Sequence, residues 1–422
     1  MTYWFQDEAI KGLLPLATAS AIGGLTTTFN TPQMFIGSNV FPDGPGLLPS
    51  PVEMIASNCQ KKRAFIVTDE FSIRFAPKVA ANFELNGFTT ETWSKILPEA
   101  PVENVRECGA AMTAFEPDII VAVGGGSVMD GAKAAWIHYE RPDVQDLGML
   151  SPLTPFGLRK KAIFAAVPTT SGTGSECTGV CVIHDSKADR KIPLASGELL
   201  PDYALLCPEF TMTMPPKLTV GTGLDVLAHA MDSVMAPTAN ELTEAISNAA
   251  IKMVFKYLPR AYRNGNDREA RHRMLMASSA AGIGFGNSGA ALTHSFGHSI
   301  GSIFDIHHGL AVGIFIPYVF QFYKEVTDSY LAICDALKID GKTDKERFNK
   351  LINKVKELFK TLDVPFKLKD LGIGKKAFQD NMEKLVLYSI EDIDTFFTPR
   401  PITKDQCKKI LMYAYEGKDI DF

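Results

Sequence analysis

What is scarce in this chain narrows the reading first. No stretch reaches the roughly eighteen apolar residues in a row that a membrane-crossing helix needs, so no membrane partner is expected. Seven cysteines (Cys59, Cys108, Cys177, Cys181, Cys207, Cys334 and Cys407) are odd in number, scattered and never in CxxC spacing. That excludes a disulfide framework and suits reduced thiols in a cytoplasmic protein. Neither sign of charge dominates: 43 Lys and Arg against 48 Asp and Glu leave a net charge of -5. The basic footprint of a nucleic-acid surface is therefore missing, and a small-molecule ligand is the natural partner. The segment "GLLPLATASAIGGL" at residues 12 to 25 has the apolarity of a secretory leader, but Asp7 and Glu8 precede it against a single Lys11. A signal peptide wants a positive flank there, so a short helix packed on the body or on a partner subunit is expected instead.

What is present divides near residue 214. Before it, "RAFIVTD", "DIIVAVGGGS" and "KAIFAAVPTTSGTGSE" each read as a buried strand running into Gly, Ser or Thr, with helical patterns between them. Such alternation predicts a parallel sheet flanked by helices, with ligands at the carboxyl ends of its strands. After it, "PPKLTVGTGLDVLAHAMDSVMA", "ELTEAISNAAIKMVFKYLPRAY" and "DREARHRMLMASSAAGIGF" follow helical periodicity, and strand-like runs nearly vanish. Two domains are expected, an α/β domain at 1–214 and an all-helical one at 215–422.

In the first half, "VAVGGGSVMDGAKAA" runs from a strand through three glycines into a helix beginning near Ser127. Glycines admit a ligand close to the backbone, and the first N–H groups of a helix favour a pyrophosphate. The same turn also serves as a plain strand-to-helix connection. Asp69 closes an early strand, where a carboxylate either accepts from ribose hydroxyls or caps a turn. "PTTSGTGSE" places Thr169, Thr170, Ser171, Thr173 and Ser175, five hydroxyls, in seven positions. No GxGxxG follows the first strand, so the standard dinucleotide fingerprint is absent.

The second half concentrates an uncommon residue. Of eight histidines, four (His294, His298, His307 and His308) fall within "THSFGHSIGSIFDIHHG". Asp225 and His229 are four apart, as are His294 and His298, so on helices each pair shares a face one turn apart. One Asp with three His is a ligand set for Fe(II) or Zn(II) that leaves room for a substrate oxygen. Phe285, Phe296 and Phe304 near these positions line an apolar pocket or belong to the core.

Taken in order, "GGGSVMDGAKA", "PTTSGTGSE", "GLDVLAHAMDS" and "THSFGHSIGSIFDIHHG" resemble the iron-containing (group III) alcohol dehydrogenases, from about residue 30 to the C-terminus. The resemblance implies a Rossmann-like α/β dinucleotide-binding domain followed by an all-α metal-binding domain, the dehydroquinate synthase-like plan. It implies metal ligands at Asp225, His229, His294 and His308, with His298 catalytic beside the nicotinamide and substrate and no role for His307. Gly125, Gly126, Ser127 and Asp130 would form the pyrophosphate loop, Thr169, Thr170, Thr178 and Lys191 further cofactor contacts, and Asp69 the preference for NAD. Residues 1–28 would be an extension beyond the usual start.

The activity so implied is reversible, NAD(H)-dependent oxidation of a small primary alcohol to its aldehyde, with Fe(II) the commonest ion and Zn(II) an alternative. A homodimer or larger homo-oligomer is the expected assembly. Glycerol dehydrogenases share the plan, and polyol oxidation or reduction of a functionalised aldehyde is the alternative reading. A dehydroquinate synthase would need Lys and Arg for a phosphorylated acid, and the histidine segment holds none. A sensor that kept the fold without turnover is disfavoured because every ligand position is filled.

Overall fold

The computed structural model describes residues 3–7, 28–44, 49–151, 154–187 and 190–422. The helix anticipated at residues 12 to 25 lies outside them. Among the described residues, 3–7 and 30–213 form one compact unit and 28–29 and 214–422 a second.

The first unit holds strands β1 (Gln33–Ile36), β2 (Arg63–Val67), β3 (Thr89–Trp93), β4 (Ile119–Gly124), β5 (Ile163–Pro168), β6 (Val180–Asp185), β7 (Arg190–Ala195) and β8 (Tyr203–Leu206). Its helices are α1 (Pro51–Ala56), α2 (Ala76–Leu85), α3 (Val102–Phe115) and α4 (Gly126–Glu140). Six strands form a parallel sheet in the order β1-β8-β5-β4-β2-β3. The three apolar runs read as strands fall on β2, β4 and β5. Every residue of β4 is buried, because strands flank it on both edges and the sheet is covered on its faces. The edge strand β3, "TTETW", is mostly exposed and polar, which hides it from a search for apolar runs. An antiparallel hairpin of β6 and β7 is also present, where only parallel pairing was expected. Tyr3 and Trp4 dock on it: Tyr3 Oη donates to Asp185 Oδ2 at 2.8 Å and Trp4 Nε1 to the Pro193 carbonyl at 3.0 Å.

Chain order and strand order together locate a crevice. From β2 the chain steps out to β3, then returns across β2 to β4 and continues away through β5. The direction reverses between β2 and β4, and ligands of open parallel sheets bind beyond the carboxyl ends at such a point. Asp69 follows β2 and the glycine turn follows β4, so both stand at it.

The second unit consists of helices α5 (Pro216–Met235), α6 (Glu241–Arg263), α7 (Arg268–Ser288), α8 (Leu292–Phe304), α9 (His308–Tyr323), α10 (Tyr330–Ala336), α11 (Asp344–Thr361), α12 (Lys375–Asp380), α13 (Met382–Glu391) and α14 (Lys404–Glu416). It contains no strand among the described residues. Helix α5 is its axis, buried at every position from Thr219 to Met235 and packed by α6, α7 and α9. Asn240, Asp267 and Thr343 cap α6, α7 and α11 with side-chain oxygens that accept from the first backbone N–H groups. Phe296 is fully buried and stacks on Phe315 with centroids 5.0 Å apart, so it is core and no pocket wall. Burying each such ring contributes about 1.5–3 kcal/mol. Phe304 packs against the same core.

Candidate functional site

Helices α5, α8 and α9 bring the acid and the imidazoles of the second unit together. Asp225 and His229 sit one turn apart on α5, His294 in the first turn of α8, and His308 at the first position of α9. The crossing of α9 on α5 depends on Gly309: a Cβ there would lie 2.1 Å from the Gly221 carbonyl oxygen and 2.8 Å from Asp225 Cβ. Only hydrogen at that position lets the start of α9 approach the carboxylate. Gly221 in turn accommodates His307, whose Nδ1 would be 2.5 Å from a Cβ added there.

From Asp225 Oδ1, His308 Nε2 is 3.2 Å away, His229 Nδ1 3.8 Å and His294 Nε2 3.9 Å. Ligand atoms about 2.1 Å from one tetrahedral ion lie roughly 3.4 Å from each other. The observed separations bracket that spacing. One ligand atom each from Asp225, His294 and His308 converge within 4.8 Å of one another. His229 joins through Asp225 and by stacking on His294 at 4.2 Å, with Phe285 flat against its other side at 4.1 Å.

Whether these residues fit a cation is answered by their unmet valence. Asp225 Oδ1, His229 Nδ1 and His294 Nε2 are buried and have no hydrogen-bond partner among the described residues. Three orphaned polar atoms aimed at one volume are costly unless a partner fills it. Burial pushes the His229 and His294 imidazoles down to about 3, against the attraction of Asp225, so both are neutral ligands at pH 7. Burial works to raise the Asp225 carboxyl, but the imidazoles, His229 and His308 foremost, hold it below the usual carboxylate range. One anion and neutral imidazoles form a donor set that fits a divalent metal. His308 is the most exposed of the four, at 31%, so the cage opens on its side.

A carboxylate not foreseen from the sequence supports the cage. Asp232 Oδ2 accepts from the Ala291 N–H at 2.9 Å, from the Thr293 hydroxyl and from His294 Nδ1 at 3.0 Å. Holding Nδ1 as a donor turns the lone pair of His294 Nε2 toward Asp225. Burial pushes the Asp232 carboxyl up to about 7, opposed by those donors. Its signal was present, since Asp232 follows His229 by three on one helix face. His298 lies beside the cage, its ring 5.2 Å from that of His308, and its Nδ1 is 2.8 Å from Asp392 Oδ2. Nothing in the sequence links residues 298 and 392.

In the first unit, three loops meet beyond β2, β4 and β5. Asp69 Oδ1 accepts from Phe71 N at 3.1 Å and Ser72 N at 2.6 Å, closing the turn after β2. Ser72 Oγ and Thr169 Oγ1 share a hydrogen bond at 3.1 Å that ties this turn to the loop after β5. The glycines are required by the protein itself: a Cβ on Gly124 would lie 2.4 Å from Val128, on Gly126 2.7 Å from Thr173, and on Gly125 3.3 Å from Thr170. Ser127 Oγ accepts from Glu99 N at 3.1 Å, and Lys191 pairs with Glu99 at 3.0 Å. Asp130 accepts from Ser175 Oγ in the loop at 2.7 Å and from Val182 N in β6 at 2.9 Å.

Lys133, also unforeseen, is fully buried and donates to the carbonyls of Ser175 at 2.7 Å, Thr178 at 2.8 Å and Val180 at 2.9 Å. Thr178 is buried with its hydroxyl 3.5 Å from the same ammonium. Among the described residues the Ser171 hydroxyl is buried with no partner. The glycine turn, the hydroxyl loop and Asp69 thus form one fixed assembly around the N-terminus of α4.

A crevice at the switch point of a parallel sheet and a cage of one carboxylate and three imidazoles define a metal-dependent oxidoreductase of the dinucleotide-binding class. Residues 49–208 match the family model for iron-containing alcohol dehydrogenase, and residues 219–415 that for the Fe-containing alcohol dehydrogenase family, C-terminal. The chain belongs to the iron-containing alcohol dehydrogenase family. It is 37% identical over 369 residues to the NADPH-dependent butanol dehydrogenase of Clostridium saccharobutylicum, covering 86% of this chain and 95% of that one. It is 32% identical over 325 residues to a 1-propanol dehydrogenase of Salmonella typhimurium, covering 76% and 84%. Against the aldehyde-alcohol dehydrogenase of Clostridium acetobutylicum it is 32% identical over 374 residues, 82% of this chain, and spans only 43% of that relative's length. The iron-containing alcohol dehydrogenase of Thermococcus thioreducens superposes with a TM-score of 0.81 at 28% identity, covering 93% and 100%. The protein is a metal-dependent alcohol dehydrogenase and aldehyde reductase that works with a nicotinamide cofactor and a divalent metal ion. No helix among the described residues is long and apolar enough to cross a membrane.

Proposed function

We propose that the chain interconverts a small primary alcohol and its aldehyde, with NAD(H) as coenzyme and Fe(II) held by Asp225, His229, His294 and His308. The observation that carries this reading is the set of orphaned buried atoms, Asp225 Oδ1, His229 Nδ1 and His294 Nε2, turned toward one volume. A divalent ion held by these residues would supply Lewis acidity toward the substrate oxygen, and a nicotinamide coenzyme bound at the first unit's loops would supply the hydride chemistry. Asp225 supplies the negative charge that balances the ion. Asp232 keeps His294 in the tautomer that can ligate. In the oxidative direction His298 takes the hydroxyl proton of the alcohol, and in the reductive direction returns it.

The pyrophosphate is read against the backbone of Gly125, Gly126 and Ser127 at the N-terminus of α4. Asp130 acts by tying the hydroxyl loop, through Ser175, to β6, through Val182. Thr169 and Thr170 are the proposed loop contacts, with Thr178 and Lys191 behind them. Asp69, in the turn after β2, is the group that disfavours a 2′-phosphate. Seven buried free cysteines support a reducing, cytoplasmic setting. The unpaired outer edges of β1 and β3 among the described residues leave strand positions open for association into a homodimer or larger assembly.

Protein purified and metallated without oxygen, offered NADH or NADPH with a panel of short aldehydes, tests the reading. Aldehyde-dependent loss of NADH is expected; none at all overturns it, and faster loss of NADPH overturns the role of Asp69. Elemental analysis of the same preparation decides between iron and zinc.

A further inference from the structure

His298 is held by a segment far along the chain. A turn of 3-10 helix, Ile393–Phe397, lies along α8 and meets it at two rungs. Thr395 Oγ1 and Ser295 Oγ share a hydrogen bond at 2.8 Å, and one turn along α8 His298 Nδ1 lies 2.8 Å from Asp392 Oδ2. The rungs are antiparallel and three residues apart on each element, so the two spacings match. Asp392 is itself fixed, since its Oδ1 accepts from Asp394 N at 3.0 Å and caps the turn. Two further bonds clamp the segment and α13 to α8: Thr395 Oγ1 to the Ser389 carbonyl at 2.6 Å, and Ser299 Oγ with Ser389 Oγ at 2.9 Å.

A carboxylate only accepts, so the imidazole nitrogen that faces it carries the proton, and the other nitrogen keeps its lone pair. We propose that Asp392 is a positioning residue that fixes His298 as the Nδ1–H tautomer, making Nε2 the atom that takes the substrate's hydroxyl proton. This rests on the reading of His298 as proton acceptor. In alcohol oxidation the O–H bond breaks with its proton going to Nε2, while the carbon gives its hydride to the nicotinamide; reduction runs the reverse. Asp394 Oδ2 is 3.8 Å from the same Nδ1. Burial and the charge of Asp392 hold the Asp394 carboxyl well above the usual range, so a single negative charge faces the ring.

The test has a readout that needs neither metal nor turnover. In metal-free protein labelled with ¹⁵N only at histidine, the ring nitrogens of His298 are assigned by their loss in His298→Gln. Wild type is expected to show a protonated Nδ1 and a lone-pair Nε2, and Asp392→Ala to average the two tautomers. With metal restored, Asp392→Ala is expected to lose roughly ten- to a hundredfold in kcat while KM moves less than about twofold and metal content holds. Asp392→Asn keeps the shape and an acceptor oxygen, and its expected loss is smaller; it carries the test if Asp392→Ala does not fold. An unchanged tautomer in Asp392→Ala, or an undiminished kcat, overturns the proposal. Full kcat in His298→Gln instead overturns the reading of His298, and with it the catalytic part of the inference, while the nitrogen spectra still decide the tautomer.

Discussion

The functional loops of the first unit and the cage of the second differ in how their polar atoms are satisfied. The Ser171 hydroxyl is the one loop side-chain atom buried without a partner among the described residues, against three in the cage. In the first unit, Asp130, Lys133, Ser127, Thr169 and Lys191 all have protein partners, and what is offered at the switch point is chiefly backbone and loop shape. In the second, one buried atom each of Asp225, His229 and His294 has no hydrogen-bond partner among the described residues. A loop that must accept and release a cofactor is stable without it, because its polar groups satisfy each other. A cage that keeps its ion is built around a missing partner, and the ion's binding energy offsets the desolvation. Substitutions in the two units should therefore fail differently.

The largest effect is expected where the valence is emptied. His294→Ala or Asp225→Ala should abolish metal content and cost on the order of 10³-fold in kcat/KM, since Lewis acidity is worth several kcal/mol. Full activity in protein shown by elemental analysis to lack metal would contradict the cage. Next, Asp232→Asn should weaken metal affinity roughly ten- to a hundredfold by releasing the His294 tautomer, read by competition with a chelator. Affinity within about twofold of wild type would make Asp232 a merely structural acid.

The first unit should respond through folding and coenzyme. Lys133→Met leaves the carbonyls of Ser175, Thr178 and Val180 without their donor. A loss of about 1–3 kcal/mol in denaturant unfolding is expected, with a raised KM for NADH and normal metal content. Metal lost together with NADH affinity would erase the contrast between the units.

The smallest effect concerns His138, whose imidazole burial pushes down to about 4 from the ordinary 6.5. The unfolded chain takes up that proton below about pH 6.5 while the folded chain refuses it until about 4. Its contribution to stability is therefore complete above that window and lost as pH falls through it. His138→Leu should flatten the fall in Tm between about pH 7 and about pH 5; an equally steep fall would show that other groups carry it.

How much was legible follows from how local each feature is. Asp225 with His229, and His294 with His298, are one helical turn apart, so periodicity alone puts each pair on one face. The strands β2, β4 and β5 are buried on both faces and read as apolar runs, whereas the exposed edge strand β3 does not. Asp232 continues the α5 ligand face and was within reach of the same reasoning. Lys133 carries no signal in the sequence; only the carbonyls of Ser175, Thr178 and Val180 folding over α4 enclose its ammonium. Between His307 and His308, spacing and the family resemblance both favoured His308. The turn at Asp305 and the close approach at Gly309 place His308 Nε2 3.2 Å from Asp225 Oδ1 and turn His307 against Gly221.

The sequence by itself determined the class of fold, the residues able to bind a cation and the glycine and hydroxyl loops, because each follows from short-range periodicity or local backbone freedom. Tertiary structure decided what required distant segments to meet. Strand order placed Asp69 and the glycine turn at one switch point, three helices joined four ligand candidates, and a turn 94 residues downstream supplied the acid for His298. Hydrogen bonds reach about 3 Å, and nothing along a chain encodes which distant atoms will come that close until the core has packed.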